Sequence, residues 1–192
     1  FIHRDIKPSN ILTDSNFNIK ITDFGLSEIL GQKEQSSSDF ISGTAKYMPP
    51  EMHLQIHNIP NRMDSWATAC VLNEIYKGNI SLFSLPKIPF RDLNQRAFIM
   101  IEQQAFVLRQ EVPNSLAERS ISLCHKLKQI NPYPILKQPH FFVRETSPKE
   151  RLITRYFNNL LATILTFETS HLPTTAEEIK TSPFLTYDRI GK

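Results

Sequence analysis

The stretch His3-Arg4-Asp5-Ile6-Lys7-Pro8-Ser9-Asn10, followed downstream by Asp23-Phe24-Gly25, constrains this chain more than anything else in it. The pattern H-R-D-x-K-x-x-N fixes five positions; at about one in twenty each, it arises by chance roughly once in three million windows. One short loop thus carries a carboxylate, an ammonium and a carboxamide, and Asp23 adds a second carboxylate. A carboxylate can orient a hydroxyl and take its proton, an ammonium can neutralise a phosphate, and carboxamide and carboxylate oxygens suit a hard cation. Phe17 to Thr22 alternates apolar and polar residues after a turn at Asp14-Ser15-Asn16, which predicts a short strand with Ile11-Leu12 as its hairpin partner. That hairpin would set the loop and Asp23 at adjacent ends of one small sheet, where distant positions can meet.

The 192 residues, 40% of them hydrophobic, suffice for one domain or one large lobe with a core of its own. No apolar run approaches the roughly 20 residues that span a bilayer, and the N-terminus lacks a charged-then-apolar signal pattern. The chain is therefore expected to be soluble and intracellular, in the cytoplasm, with no membrane partner. Its net charge of +3 is spread along the sequence and forms no stripe, which argues against a nucleic-acid partner. Cys70 and Cys124 lack CxxC spacing and read as buried thiols of a reducing compartment. His53 and His57 stand one helical turn apart but have no third ligand nearby, so they do not make a zinc site.

Further along, Met63 to Lys77 is apolar nearly all round and predicts a core helix stopped by Gly78. Asp92 to Val107 and Ser115 to Ile130 read as amphipathic helices. The four prolines between Asn131 and Lys149 exclude regular structure there and predict a surface insertion over about 131–150. Arg151 to Phe167 regains helical periodicity, and Thr174 to Thr181 predicts a last short helix.

From Phe1 to about Leu185 the chain resembles, with gaps, the C-terminal lobe of a eukaryotic-type protein kinase of the Ser/Thr class. The carrying motifs are the His3 to Asn10 loop, Asp23-Phe24-Gly25, the run Gly43-Thr44-Ala45-Lys46-Tyr47-Met48-Pro49-Pro50-Glu51, and Asp64-Ser65-Trp66. The resemblance implies an α+β, mainly α fold with a small β-hairpin near the catalytic loop. It implies a kinase domain over 1–188, with the activation segment at 23–51. The activity implied is transfer of the ATP γ-phosphate to a protein hydroxyl, with ATP and Mg2+ as cofactors and a protein as substrate. By resemblance Asp5, Lys7 and Thr44 are catalytic, and Lys7, Asn10, Leu12 and Asp23 bind the cofactor. Asn10 and Asp23 would hold the metal, and Leu12 would pack under the adenine.

The same resemblance gives His3 and Phe24 a structural stacking role, and it has Asp64 accept backbone N–H bonds from the catalytic loop. Arg4 would receive a phosphate on the activation segment, where Ser36, Ser37, Ser38 and Ser42 are the candidates. Two departures stand out. The Arg that pairs with the Glu of the Ala-Pro-Glu motif is replaced near the last helix by Leu172 or Pro173, which would leave Glu51 unpartnered unless another cation or water takes its place. Ala69 stands where the central helix commonly has Gly. Nothing upstream of His3 supplies a Gly-rich loop or a strand lysine, so the kinase N-lobe is expected as a missing partner and the isolated chain is expected to be inactive. The alternative is a pseudokinase or docking module without catalysis.

Overall fold

The computed structural model describes residues 1–29, 43–54, 60–84, 93–114, 116, 147–167 and 179–190. Strands β1 (Ile11–Thr13) and β2 (Ile19–Ile21) form an antiparallel pair with Ile11 opposite Ile21 and Thr13 opposite Ile19. The turn between them is built by Asp14, whose Oδ1 accepts the N–H groups of Asn16 and Asn18 at 2.9 Å each. Such self-bonding is why Asp initiates turns. Phe17 completes the turn with φ of +61°. Paired backbone bonds between Ile2 and Glu28, at 2.8 and 2.9 Å, tie the start of the chain to the segment after Gly25.

The α-helices among the described residues are α1 (Pro50–His53), α2 (Pro60–Tyr76), α3 (Leu93–Leu108), α4 (Pro148–Ile164) and α5 (Pro183–Ile190). Helix α2 runs through the core as its composition predicts, with Trp66, Ala69 and Cys70 buried, although Ile75 near its end faces solvent. Gly78, at φ of +71°, follows it, and its N–H bonds back to the Ile75 carbonyl. Glycine reaches this left-handed conformation without steric cost. Phe83, Met100, Phe157, Leu160 and Ile164 close around α2. Tyr76 stacks on Phe157 at 4.1 Å between ring centroids, and Phe184 of α5 leans on both. A smaller cluster of Ile2, Ala45, Met48, Met52 and Met63 seats the front of the molecule on the opening of α2. The protein is thus mainly helical with one two-stranded sheet among the described residues.

Two boundaries differ from the sequence reading. Pro148, assigned to the insertion, is the first residue of α4. Ser147 caps that helix in a capping box with Glu150, and proline suits a first turn whose N–H groups have no helical acceptor. Pro183 likewise opens a helix, α5, beyond the expected last one. The expectations for 30–42, for most of 115–130, for 131–146 and for 172–173 lie outside the described residues. No helix among the described residues is long and apolar enough to cross a membrane.

Candidate functional site

The loop from His3 to Asn10 is held from behind. Asp64, near the opening of α2, accepts the backbone N–H of His3 at 2.7 Å and that of Arg4 at 2.9 Å. These bonds stabilise Arg4 at φ of +71°, a left-handed conformation that a side chain seldom adopts. His3 Nε2 lies 3.0 Å from the Thr22 carbonyl, and its ring meets Phe24 edge-on at 4.9 Å. The Thr22 N–H donates to the Asn10 carbonyl at 2.9 Å, which brings Asp23 beside the end of the loop.

Four donors converge on the Asp5 carboxylate. Lys7 Nζ donates to Oδ2 at 2.5 Å and Asn10 Nδ2 to the same oxygen at 3.2 Å. Thr44 donates twice to Oδ1, through Oγ1 at 2.9 Å and its N–H at 3.1 Å. Lys7 also reaches Thr44 Oγ1 at 3.3 Å. Burial raises the Asp5 pKa, but the bonds from Lys7, Thr44 and Asn10 outweigh it and hold the carboxyl below its ordinary value. Asp5 is therefore a poised carboxylate with its position fixed from two sides.

Because Asn10 spends its NH2 on the Asp5 carbonyl and carboxylate, its Oδ1 turns the other way, with only a 3.5 Å approach from Ser9. Asp23 is exposed at φ of +65°. A Cβ on Gly25 would come within 3.3 Å of its Oδ1, so the glycine keeps that carboxylate free to turn. One amide oxygen and one carboxylate are the hard oxygen donors that a divalent cation such as magnesium would take. Leu12 is half-exposed on the open side of the hairpin. No group of three or more His, Cys, Asp or Glu side chains that could hold a metal occurs among the described residues. His53 is buried, and His57 lies outside the described residues.

Arg4 pairs with Glu28 at 2.8 Å on the surface, a partner the sequence did not suggest. The run from Gly43 to Glu51 is anchored at several points. Tyr47 Oη donates to Glu74 at 2.8 Å, and burial pushes its phenol pKa well up. Lys46 donates to Ser81 at 2.9 Å and lies 3.9 Å from Glu74. Gln104 of α3 donates to the Met48 carbonyl at 2.8 Å.

Glu51 is not unpartnered: another cation takes the place of the expected Arg. Arg62 Nε sits 2.9 Å from its Oε1 and 3.0 Å from its Oε2. Both groups are buried, which pushes the Glu51 carboxyl up and the Arg62 guanidinium down, while each opposes the shift in the other. The cation thus comes from α2. One signal was available: a cation in the first turn of a helix opposes the macrodipole, so Arg62 needed a carboxylate close by.

Gly43 has a measurable role in this arrangement. It holds φ of +107°, and a Cβ there would lie 2.7 Å from the Arg4 carbonyl oxygen. Gly43→Ala is expected to cost about 1–3 kcal/mol or more and to draw Thr44 off Asp5. Denaturant unfolding of Gly43→Ala beside Gly25→Ala checks this; equal, near-zero effects would refute it.

The Asp5 carboxylate is thus bridged by a lysine and a threonine hydroxyl, with the Asn10 amide oxygen and the exposed Asp23 carboxylate at the end of the same loop. The chain belongs to the protein kinase domain family, whose profile matches residues 1–185. It is 35% identical over 137 residues to Serine/threonine-protein kinase ppk21 of Schizosaccharomyces pombe, covering 68% of this chain and 23% of that protein. It is 34% identical to Mitogen-activated protein kinase KSS1 of Saccharomyces cerevisiae over 53% of this chain and 27% of that one. Human 3-phosphoinositide-dependent protein kinase 1 is 33% identical over 66% of this chain and 21% of its own length. The alignments therefore span roughly a quarter of each relative's length.

Proposed function

We propose that this chain is the C-terminal lobe of a Ser/Thr protein kinase, spanning 1–188 with its activation segment at 23–51, and that the assembled enzyme transfers the γ-phosphate of ATP to a protein hydroxyl. The observation that carries the reading is the convergence of Lys7, Thr44 and Asn10 on the Asp5 carboxylate. Asp5 would orient the attacking hydroxyl and receive its proton. Lys7, one side of its ammonium on Asp5, would turn the other toward the transferring phosphate. Thr44 keeps both in place at the edge of the substrate path. Asn10 Oδ1 and the Asp23 carboxylate would hold Mg2+, which supplies neutralising charge for the ATP phosphates.

Phe1, Leu12, Phe17, Ile19, Ile21, Phe24, Leu26 and Ile29 all leave large apolar areas in solvent, Phe17 at 87% and Ile19 at 70%. Ile19 and Ile21 lie on one face of the hairpin and Leu12, opposite Lys20, on the other; exposed apolar groups this numerous on both faces support the reading that each face is covered in use. We assign the cover to the adenine ring over Leu12 and to an N-terminal kinase lobe. The test is to express the reading frame that carries this chain and incubate the product with labelled ATP, magnesium and a generic protein substrate. Phosphoserine or phosphothreonine is expected on the substrate, abolished by Asp5→Asn; MgATP binding without transfer in the wild type would favour a pseudokinase.

A further inference from the structure

We infer that the cavity between the ends of α3 and α4 is a binding site for a small amphipathic carboxylate, an alkyl chain with one anionic head. The cavity measures about 340 Å³, within the range of small-molecule sites, and none of the residues around Asp5 lines it. Leu82, Val107, Leu161 and Leu165 give it an apolar wall suited to hydrocarbon. Its polar members are Arg109, Gln110 and Asn158, and no acidic side chain is among the described residues that line it. Arg109 and Asn158 are also exposed, which puts them at the mouth.

The backbone fixes this rim. Beyond α3 the N–H of Arg109 donates to the Phe106 carbonyl at 3.3 Å and that of Gln110 to the Ala105 carbonyl at 3.0 Å, the paired bonds of a Schellman cap. Arg109 therefore holds the left-handed position, at φ of +54°, where glycine is the usual residue. The helix dipole favours a cation there, but glycine would meet the same geometry without steric cost. Gln110 is fully engaged, donating to the Leu165 carbonyl at 3.0 Å and accepting the Phe167 N–H at 2.8 Å, which ties the end of α3 to the end of α4. Arg109 and Asn158, by contrast, have no side-chain hydrogen bond or ion pair among the described residues. A guanidinium takes a planar carboxylate through two parallel bonds, and an amide adds a third donor. One cation, with Glu111 two residues on, matches a monoanion better than a dianionic phosphate.

The probe is decanoate, below its micelle concentration and at neutral pH, titrated calorimetrically into the product of the reading frame that carries this chain. One molecule is expected to bind with a Kd of about 10–500 µM. Arg109→Gly removes the cation and suits the left-handed backbone, so it should keep or raise the Tm while weakening decanoate by about ten-fold or more. Decanol, with the same chain and no charge, should bind the wild type about as weakly as decanoate binds that variant. Ala162→Trp, at an exposed position of the lining, fills the cavity and should abolish binding of both. Equal affinities of the wild type for decanoate and decanol, decanoate binding that survives Ala162→Trp, or no binding at all would each overturn the inference. Tighter binding of decyl phosphate than of decanoate would overturn the carboxylate assignment. Sedimentation of the same samples tests the other occupant: a dimer that Ala162→Trp dissociates, with no uptake of decanoate, would give the cavity to a second copy of the chain and overturn the proposal.

Discussion

Asp5→Asn in the assembled enzyme is expected to slow phosphoryl transfer by about 10² to 10⁴ while the affinity for ATP barely moves. The geometry gives the reason. The bonds from Lys7, Asn10 and Thr44 already use both oxygens of the carboxylate as acceptors. An asparagine must place an NH2 against one of those donors, so the side chain loses its proton-accepting capacity and its fixed orientation together. Asp23→Asn should behave differently, because Asp23 stands outside that network and keeps an exposed carboxylate. Its defect should be partly relieved by raised magnesium, as the proposed metal-binding role of Asp23 and proton-accepting role of Asp5 require. Single-turnover rates at several magnesium concentrations separate the two. Equal losses, insensitive to magnesium in both variants, would mean that the roles are exchanged or wrong.

The parts of this site that the sequence disclosed are those set by short-range chemistry. The hairpin was legible because strict alternation and an Asp-initiated turn both act within a few residues; with every residue of β2 exposed, it is the turn built on Asp14 that accompanies the observed register. The grouping of Asp5, Lys7 and Asn10 was legible because all three lie on one loop. Thr44 and Asp64 were placed through the resemblance, and the distances from Thr44 to Asp5 and from Asp64 to the loop amides agree with it. What failed depended on long-range contacts or on one residue with two opposite uses. Pro148 and Pro183 read as breakers, yet a proline at a helix start lacks only an N–H that would have had no helical acceptor. Arg62 escaped notice because its acceptors, Glu51 and the Thr166 carbonyl, lie on other elements. His53 was weighed only as half of a metal pair, whereas its packing is what matters.

That packing predicts a marked acid sensitivity. His53 ends α1 fully buried, and burial, reinforced by the charge of Arg96, depresses its pKa to about 3; a hydrogen bond with the Met48 backbone opposes the shift. Among the described residues its Nε2 has no hydrogen-bond partner, and neither does the buried Oε1 of Gln104. The unfolded chain binds a proton at His53 near pH 6.5, which the folded chain refuses until about pH 3. More protons are then bound unfolded than folded, so stability falls as pH falls through that window and is unaffected by this group above it. The slope approaches about 1.4 kcal/mol per pH unit, and the full window is worth roughly 4–5 kcal/mol. Asp5 adds an effect of the same sign only at lower pH, because its stabilisation is complete above the ordinary carboxyl value and is lost as pH drops through its depressed one. Between pH 4.5 and 6.5, as nominal buffer settings, His53 therefore dominates over Asp5. Urea unfolding of the wild type and of His53→Gln across that range is the measurement, since glutamine keeps a donor for the Met48 carbonyl but cannot titrate. The wild-type curve should fall more steeply toward acid than the variant's, and parallel curves would show that the imidazole gains its proton in the folded protein as easily as in the unfolded one.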